Sequence, residues 1–270
     1  MEPVSLIVLL VMGTLAGAIN AAVGSGSLLT LPVLLALGIP PGVAVRTNTV
    51  GMLFSTIGSV VGYRKEIAAE KHDLPPVAIT AALCATLGSI LLLVSPAEAL
   101  DVVVPVLIVV ALLMVIFQKR LTSALRLRQD RRATRRGGTA DAAPERSPLR
   151  SPALIGSMGA ASVYGGYFTA AQGILYLGIL GTFTGRSMRS VNSVKNLMSL
   201  IVNLAAALVY VIAYVVAGAE IVWAATAAIA VGALLGGYFG AHLAKLMPEW
   251  LLRGIIVVVA LIALVRQFVG

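Results

Sequence analysis

The chain has 270 residues, of which 59% are hydrophobic and 11% charged, with a mean hydropathy of +0.98. A soluble domain carries about 25% charged residues, and the apolar runs here are continuous and helix-long rather than alternating, so composition excludes a soluble globule and a β-barrel and reads as a polytopic helical membrane protein. The net charge of +9 is concentrated: residues 118–150 hold ten Lys or Arg against three acids, which is +7 and leaves +2 for the rest. A lone cysteine, Cys84, sits in an apolar run and reads as a small buried side chain.

In chain order, the first apolar segment covers about 5–23 and is expected to be a retained span rather than a removed signal peptide, since it lacks a basic start and a small-residue cleavage pattern. A short segment follows at 26–37, too short to cross upright and read as a half-helix, stopped by Gly38-Ile39-Pro40-Pro41-Gly42. The next spans are 43–63, 77–94 and 102–117, with a polar charged stretch at 64–73 and a short acidic turn at 97–101. Pro105 is expected in the first turn of its span. The basic linker, rich in Gly, Ala and Pro, reads as disordered or loosely helical. The pattern then recurs: 153–170, a half-helix at 173–183, 188–217, 221–246 and 250–268. This divides the chain into a first transmembrane repeat (1–117), a basic cytoplasmic linker (118–151) and a second repeat (152–270).

The organising features are two polar breaks inside apolar sequence. Gly24-Ser25-Gly26-Ser27 interrupts the first half and Thr169-Ala170-Ala171-Gln172 the second; Asn48-Thr49-Val50 and Asn192-Ser193-Val194 follow at nearly equal distance. Broken backbone at membrane depth is tolerated where it is buried in protein or lines a polar cavity, and paired breaks point to a site between repeats. Charge placement gives an orientation. With the linker inside, Arg64, Lys65, Lys71, Arg186 and Arg189 fall inside, Glu98, Asp101 and Glu220 fall outside, and each half crosses an odd number of times. The expected architecture is therefore an all-α polytopic membrane protein of two inverted repeats, with half-length helices meeting at a central site and both termini outside.

No carboxylate lies mid-span, and no catalytic constellation, cofactor motif or metal-ligand cluster is legible. This argues against cation pumps and most membrane enzymes. Two half-helix N-termini instead suit an anion, through free N–H groups and the positive end of the helix dipole. The candidate substrate-binding residues are Asn20, Gly24, Ser25, Gly26, Ser27, Arg46, Thr47, Asn48, Thr49, Gln172, Gly173, Asn192, Ser193, Lys195 and Asn196, with Lys195 as counter-charge. The bland readings stand beside these. The glycines could serve close helix packing, Asn48 and Asn192 could be interhelical glue, and Lys195 could snorkel to the surface. Tyr164, Tyr167 and the Gly232/Gly236/Gly237 face read as packing.

NAAVGSGSLLTLPVLLALGIPPGVAVRTNTVG, with YGGYFTAAQGILYLGILG followed by RSVNSVKN, resembles the paired repeat signatures of the TauE/SafE sulfite-exporter-like permeases, over nearly the whole chain. Ser25, Ser27, Thr169 and Ala171 stand where the family pattern has glycine. The resemblance implies transport of sulfite or organosulfonates. The resulting expectation is a secondary transporter or facilitator of small anions across the cytoplasmic membrane, in the export direction. Expected partners are a small anionic substrate and membrane lipid, with anionic headgroups at the 118–150 linker and no nucleic acid. A non-transporting membrane scaffold is the alternative, and a membrane-embedded transferase a third reading.

Overall fold

The computed structural model describes residues 2–136, 147–186 and 188–243, without the side chains of 118–136, 188–189 and 241–243. The expected last span at 250–268 lies outside the described residues, as do Lys245, Arg253 and Arg266. Among the described residues ten α-helices occur in order: α1 Pro3–Ala22, α2 Ser27–Ala36, α3 Pro41–Gly62, α4 Arg64–Glu70, α5 Pro75–Val94, α6 Ala97–Arg136, α7 Pro152–Phe168, α8 Gln172–Thr184, α9 Met188–Ala217 and α10 Trp223–Leu243. No strand is present among the described residues. Proline in the first turn starts α1, α3, α5 and α7, where its missing N–H is unpaired in any case.

The charged stretch 64–73 contains a short helix, α4. Two local expectations need correction. The acidic segment 97–101 is not a turn but the first turn of α6, whose Ala-Glu-Ala-Leu start has high helix propensity and places Glu98 at the positive dipole end. Pro105 consequently lies in the interior of α6 rather than in its first turn. The same helix continues past Phe117 into the basic linker as far as Arg136.

Five described helices are long and apolar enough to cross a membrane: Pro3–Ala22, Pro75–Val94, Ala97–Phe117, Ser190–Ala217 and Trp223–Gly240. Their outer faces carry exposed Val4, Leu83, Val102 and Val215, at 66–74% exposure. A soluble monomer does not show so much contiguous apolar surface; lipid is its natural solvent. α3 is more polar and is largely enclosed by the others, with Thr47, Asn48, Thr49, Ser55, Thr56 and Ser59 all buried.

Packing is an exchange between the two halves. α1 and α3 pack mainly on α10, while α7 and α9 pack on α5. Small residues allow this. A Cβ on Gly236 would overlap the Thr14 carbonyl of α1, and one on Gly88 would overlap the Val163 carbonyl of α7. Loss of one methyl at such a point brings two backbones into contact and their dispersion energy with it. The corresponding helices α3 and α9 run antiparallel. The end of α3 at Tyr63 touches Asn192 near the start of α9, and Arg46 near the start of α3 meets Glu220 just beyond the end of α9.

The loops also sort into two groups. Arg186, before α9, makes a bidentate pair with Glu70 of α4 at 2.7 and 2.8 Å. The hydrogen bonds to Glu70 hold its guanidinium above the ordinary arginine range, against a smaller opposing effect of burial. Arg150, in a 3-10 turn before α7, pairs with Asp73 at 3.0 Å and donates to the His72 carbonyl. Segments 64–74, 147–151 and 185–186 thus share one end of the molecule.

Candidate functional site

Both breaks lie inside the protein. The α1–α2 connection turns at Gly24, with φ +84°, and the α7–α8 connection turns at Thr169 and Ala171, with φ +66° and +59°. A left-handed backbone is easy for glycine but strained for alanine and more so for a β-branched threonine. Such strain persists only where the surroundings enforce it, and it collects at functional sites. Neither half-helix has a side-chain cap on its first amides. The two breaks meet: Gly173 N–H donates to the Gly24 carbonyl at 3.1 Å, and a Cβ on either glycine would overlap the Cα of the other. The N-terminal turns of α2 and α8 therefore touch backbone to backbone.

Hydrogen bonds from α3 and α9 converge on this seam. Lys195 is fully buried, so it does not snorkel. Its Nζ donates to the Asn20 carbonyl at 2.8 Å, to the Ala21 carbonyl at 3.4 Å and to Asn196 Oδ1 at 2.9 Å. Asn192 and Asn196 also donate to the Ala21 carbonyl, at 3.2 and 3.3 Å, and Asn192 reaches Tyr63 Oη at 2.9 Å. The carbonyl end of α1 is thus held by three α9 side chains. A lysine suits the negative end of a helix dipole, and all three of its partners are neutral oxygens.

On the other side, Thr30 donates to Asn48 Oδ1, joining α2 to α3. Thr49 and Thr169 hydroxyls share a hydrogen bond of 2.9 Å across the two halves, and Thr169 also donates to the Gly165 carbonyl at 3.0 Å. Gln172 Nε2 donates to Asn203 Oδ1 at 3.2 Å, and its carboxamide occupies space left by the missing side chain of Gly165. Asn20 donates to Ser55 Oγ at 3.2 Å. Among the described residues five buried polar side-chain atoms have no partner: Ser25 Oγ, Asn48 Nδ2, Gln172 Oε1, Asn192 Oδ1 and Ser199 Oγ. Buried polar atoms are normally paired, and these belong to the α1–α2 connection and to α3, α8 and α9, which form or border the seam.

Most of the sequence candidates are brought together: Asn20, Gly24, Ser25, Gly26, Ser27, Asn48, Thr49, Gln172, Gly173, Asn192, Lys195 and Asn196 lie on these elements and are buried. Two are turned away. Arg46 Nε donates to the Glu220 carbonyl at 3.0 Å, and Thr47 Oγ1 accepts from Val222 N–H at 3.1 Å. Both serve the junction of α3 with the 218–222 connection. Ser193 bonds only locally, to the Ser190 carbonyl at 3.4 Å. Thr30, Tyr63, Thr169 and Asn203 were missed as partners, and Ser199 as an open hydroxyl beside them. A signal for two of them was present. Asn48, Ser55 and Ser59 recur at identical spacing as Asn192, Ser199 and Asn203, a set that falls on one helix face. Among the described residues no group of three or more His, Cys, Asp or Glu side chains assembles as a metal site would.

The family model described as Sulfite exporter TauE/SafE matches residues 9–266. The chain belongs to the TauE/SafE family. Full-length likeness extends to "Probable membrane transporter protein YfcA" of Escherichia coli strain K12, 24% identical over 96% of this chain and 88% of that protein. A "Probable membrane transporter protein" of Haemophilus influenzae is 23% identical over 94% of this chain and 91% of its own. "Probable membrane transporter protein ORF9" of a Sinorhizobium species is 30% identical over 37% of this chain and 39% of its own. No solved structure matches. Family membership and the five span-length helices make the protein a TauE/SafE membrane transporter, and this displaces the scaffold alternative.

Proposed function

We propose that this TauE/SafE protein moves a small oxyanion, sulfite or an organosulfonate, outward across the cytoplasmic membrane, with the Gly24–Gly173 seam as its central site. The observation that carries this reading is the meeting of two uncapped half-helix N-termini beside a buried lysine. Each N-terminus offers the positive end of its helix dipole to an anion, and the Gly173 amide, which donates to the Gly24 carbonyl while the seam is closed, becomes available when it parts. Lys195 lies on the carbonyl end of α1 and offsets the negative dipole end there. It favours an anion through the local field without needing to touch it.

The antiparallel α3 and α9, with the exchanged packing of α5 and α10, support inverted repeats with 118–151 as the linker between them. The end holding Arg64, Lys65, Lys71, Arg150 and Arg186 is read as cytoplasmic by the positive-inside rule, which puts the termini outside. Alternating access follows if one repeat rocks against the other and parts the seam. A monoanion leaving a negative interior gains about 2.3 kcal/mol per 100 mV, more than a tenfold gradient, without a coupling ion.

The test is efflux from proteoliposomes loaded with sulfite or sulfoacetate, under a potassium–valinomycin potential. Saturable efflux that accelerates as the outside becomes positive is expected. Efflux that demands a pH gradient and ignores voltage would overturn the uncoupled mechanism. Absence of protein-dependent flux for both anions would overturn the substrate class.

A further inference from the structure

α9 presents Asn196, Ser199 and Asn203 at steps of three and four residues, which is one face of a helix. The outer two mark where that face lies. Asn196 reaches the Ala21 carbonyl, three residues before Gly24, and Asn203 receives Gln172, the residue before Gly173. At 1.5 Å per residue the whole set covers about 10 Å. Ser199 therefore sits on α9 between the hydrogen bonds that lead to the two sides of the Gly24–Gly173 seam.

Its chemistry differs from that of other helical serines in this protein. Ser59, Ser157 and Ser162 donate to the carbonyl four residues earlier, at 2.7–2.8 Å. Ser199 is 2% exposed, and its Oγ has no partner. Its counterpart by spacing on α3, Ser55, accepts from Asn20 and donates to the Gly17 carbonyl. A buried hydroxyl left unmade is costly unless something else completes it. Across the seam, Ser25 carries a second buried and unpartnered hydroxyl, one residue from Gly24.

We propose that Ser199 contacts the substrate directly, donating its hydroxyl to an oxygen of an oxyanion seated at the Gly24–Gly173 seam. The inference rests on the transport reading above and adds to it a residue that selects for acceptor oxygens. With Ser25 facing from the first half, the site takes anions with at least two such oxygens, as sulfite and sulfonates have. Ser199→Ala removes no protein hydrogen bond, so a purely structural role and a ligand role predict different results.

The experiment compares wild type, Ser199→Ala and Ser162→Ala for melting temperature without ligand and for its rise with sulfite or sulfoacetate. S199A should melt at the wild-type temperature or slightly above it, and need at least tenfold more anion for the same rise. S162A should melt lower, because it loses the bonds to the Met158 carbonyl and to Tyr176 Oη, and keep the wild-type anion dependence within about twofold. If S199A is not recovered folded, Ser199→Cys, close in size and a weaker donor, supplies the same readout. A wild-type response that S199A or S199C retains unchanged overturns the Ser199 assignment and leaves the transport reading standing. No wild-type response to either anion overturns both.

Discussion

In α3 and α9 the same polar spacing meets two environments. On α3, Ser55 and Ser59 are satisfied by Asn20 and by their own helix, and the preceding turn is made by Gly24, which accepts its left-handed backbone freely. On α9, Ser199 is left open, Asn203 holds a glutamine from the facing half-helix, and the preceding turn is made by Thr169 and Ala171 under strain. The two halves share a frame but not a division of labour. In the first half the α3 serines are completed and the turn is relaxed, with Ser25 Oγ and Asn48 Nδ2 left open. The second carries the lysine, the strained turn and the carboxamide pair, and it grips the first by the carbonyls of Asn20 and Ala21.

The largest effect should come at the one point where the halves are equivalent. Gly24→Ala and Gly173→Ala each drive a Cβ into the opposing backbone, and a seam that cannot widen without parting α2 from α8 should lose about 2–4 kcal/mol in either case. Yield of folded, monodisperse protein in detergent and its melting temperature report this. A well-tolerated Gly173→Ala would show that the seam yields on one side, and the equivalence would be broken there.

Next is Lys195→Met, which tests whether the second half governs the charge of the site. The Ala21 carbonyl keeps Asn192 and Asn196, so the loss of stability is expected at about 1–3 kcal/mol. Anion-induced stabilisation should fall by more than tenfold because the negative end of α1 is no longer offset. A variant that binds sulfite or sulfoacetate as wild type does would remove the lysine from the electrostatics of the site and leave it a structural clamp.

A smaller and opposite effect sharpens the contrast in strain. Ala171→Gly should raise stability by up to about 1 kcal/mol, since it relieves φ +59°. Gly26→Ala, at the matching place in the first half, should lower it, because φ there is −58° and a Cβ would overlap the Ala16 carbonyl. Thermal melts of the two variants side by side decide this, and equal signs would contradict the comparison.

The smallest effect is at the loops. Glu70→Gln breaks the bidentate pair with Arg186, whose side chains are 15% and 39% exposed. Below about 1 kcal/mol is expected, shrinking with added salt. A double-mutant cycle with Arg186→Gln, run at low and high ionic strength, measures it.

Much of this was legible in the chain itself. Hydropathy and length are sums over neighbouring residues, so the apolar helices and the half-length α2 and α8 could be placed to within a few residues. Gly and Pro act on their own φ and N–H, so the breaks around Gly24 and Gln172 were visible too. The failures were of two kinds. The start of α6 was misjudged because an acidic Ala-Glu segment, polar by composition, is also a good helix start. The partners of Arg46, Thr47 and Lys195 were not legible because position along a helix does not state which neighbour its face meets.

The sequence by itself determined that this is a helical membrane protein with two polar interruptions, and it carried the family resemblance. Only the tertiary structure decided that the interruptions touch at Gly24 and Gly173, and that Lys195 binds α1 carbonyls 174–175 residues away in the chain. It also decided that Arg46 turns towards Glu220, and that Ser199 rather than Ser55 is left with an open hydroxyl. The physical reason is that a hydrogen bond needs both partners within about 3 Å and correctly aimed. That depends on the rotation of each helix about its own axis, which the packing of α1 on α10 and of α5 on α7 sets, and which no local spacing encodes.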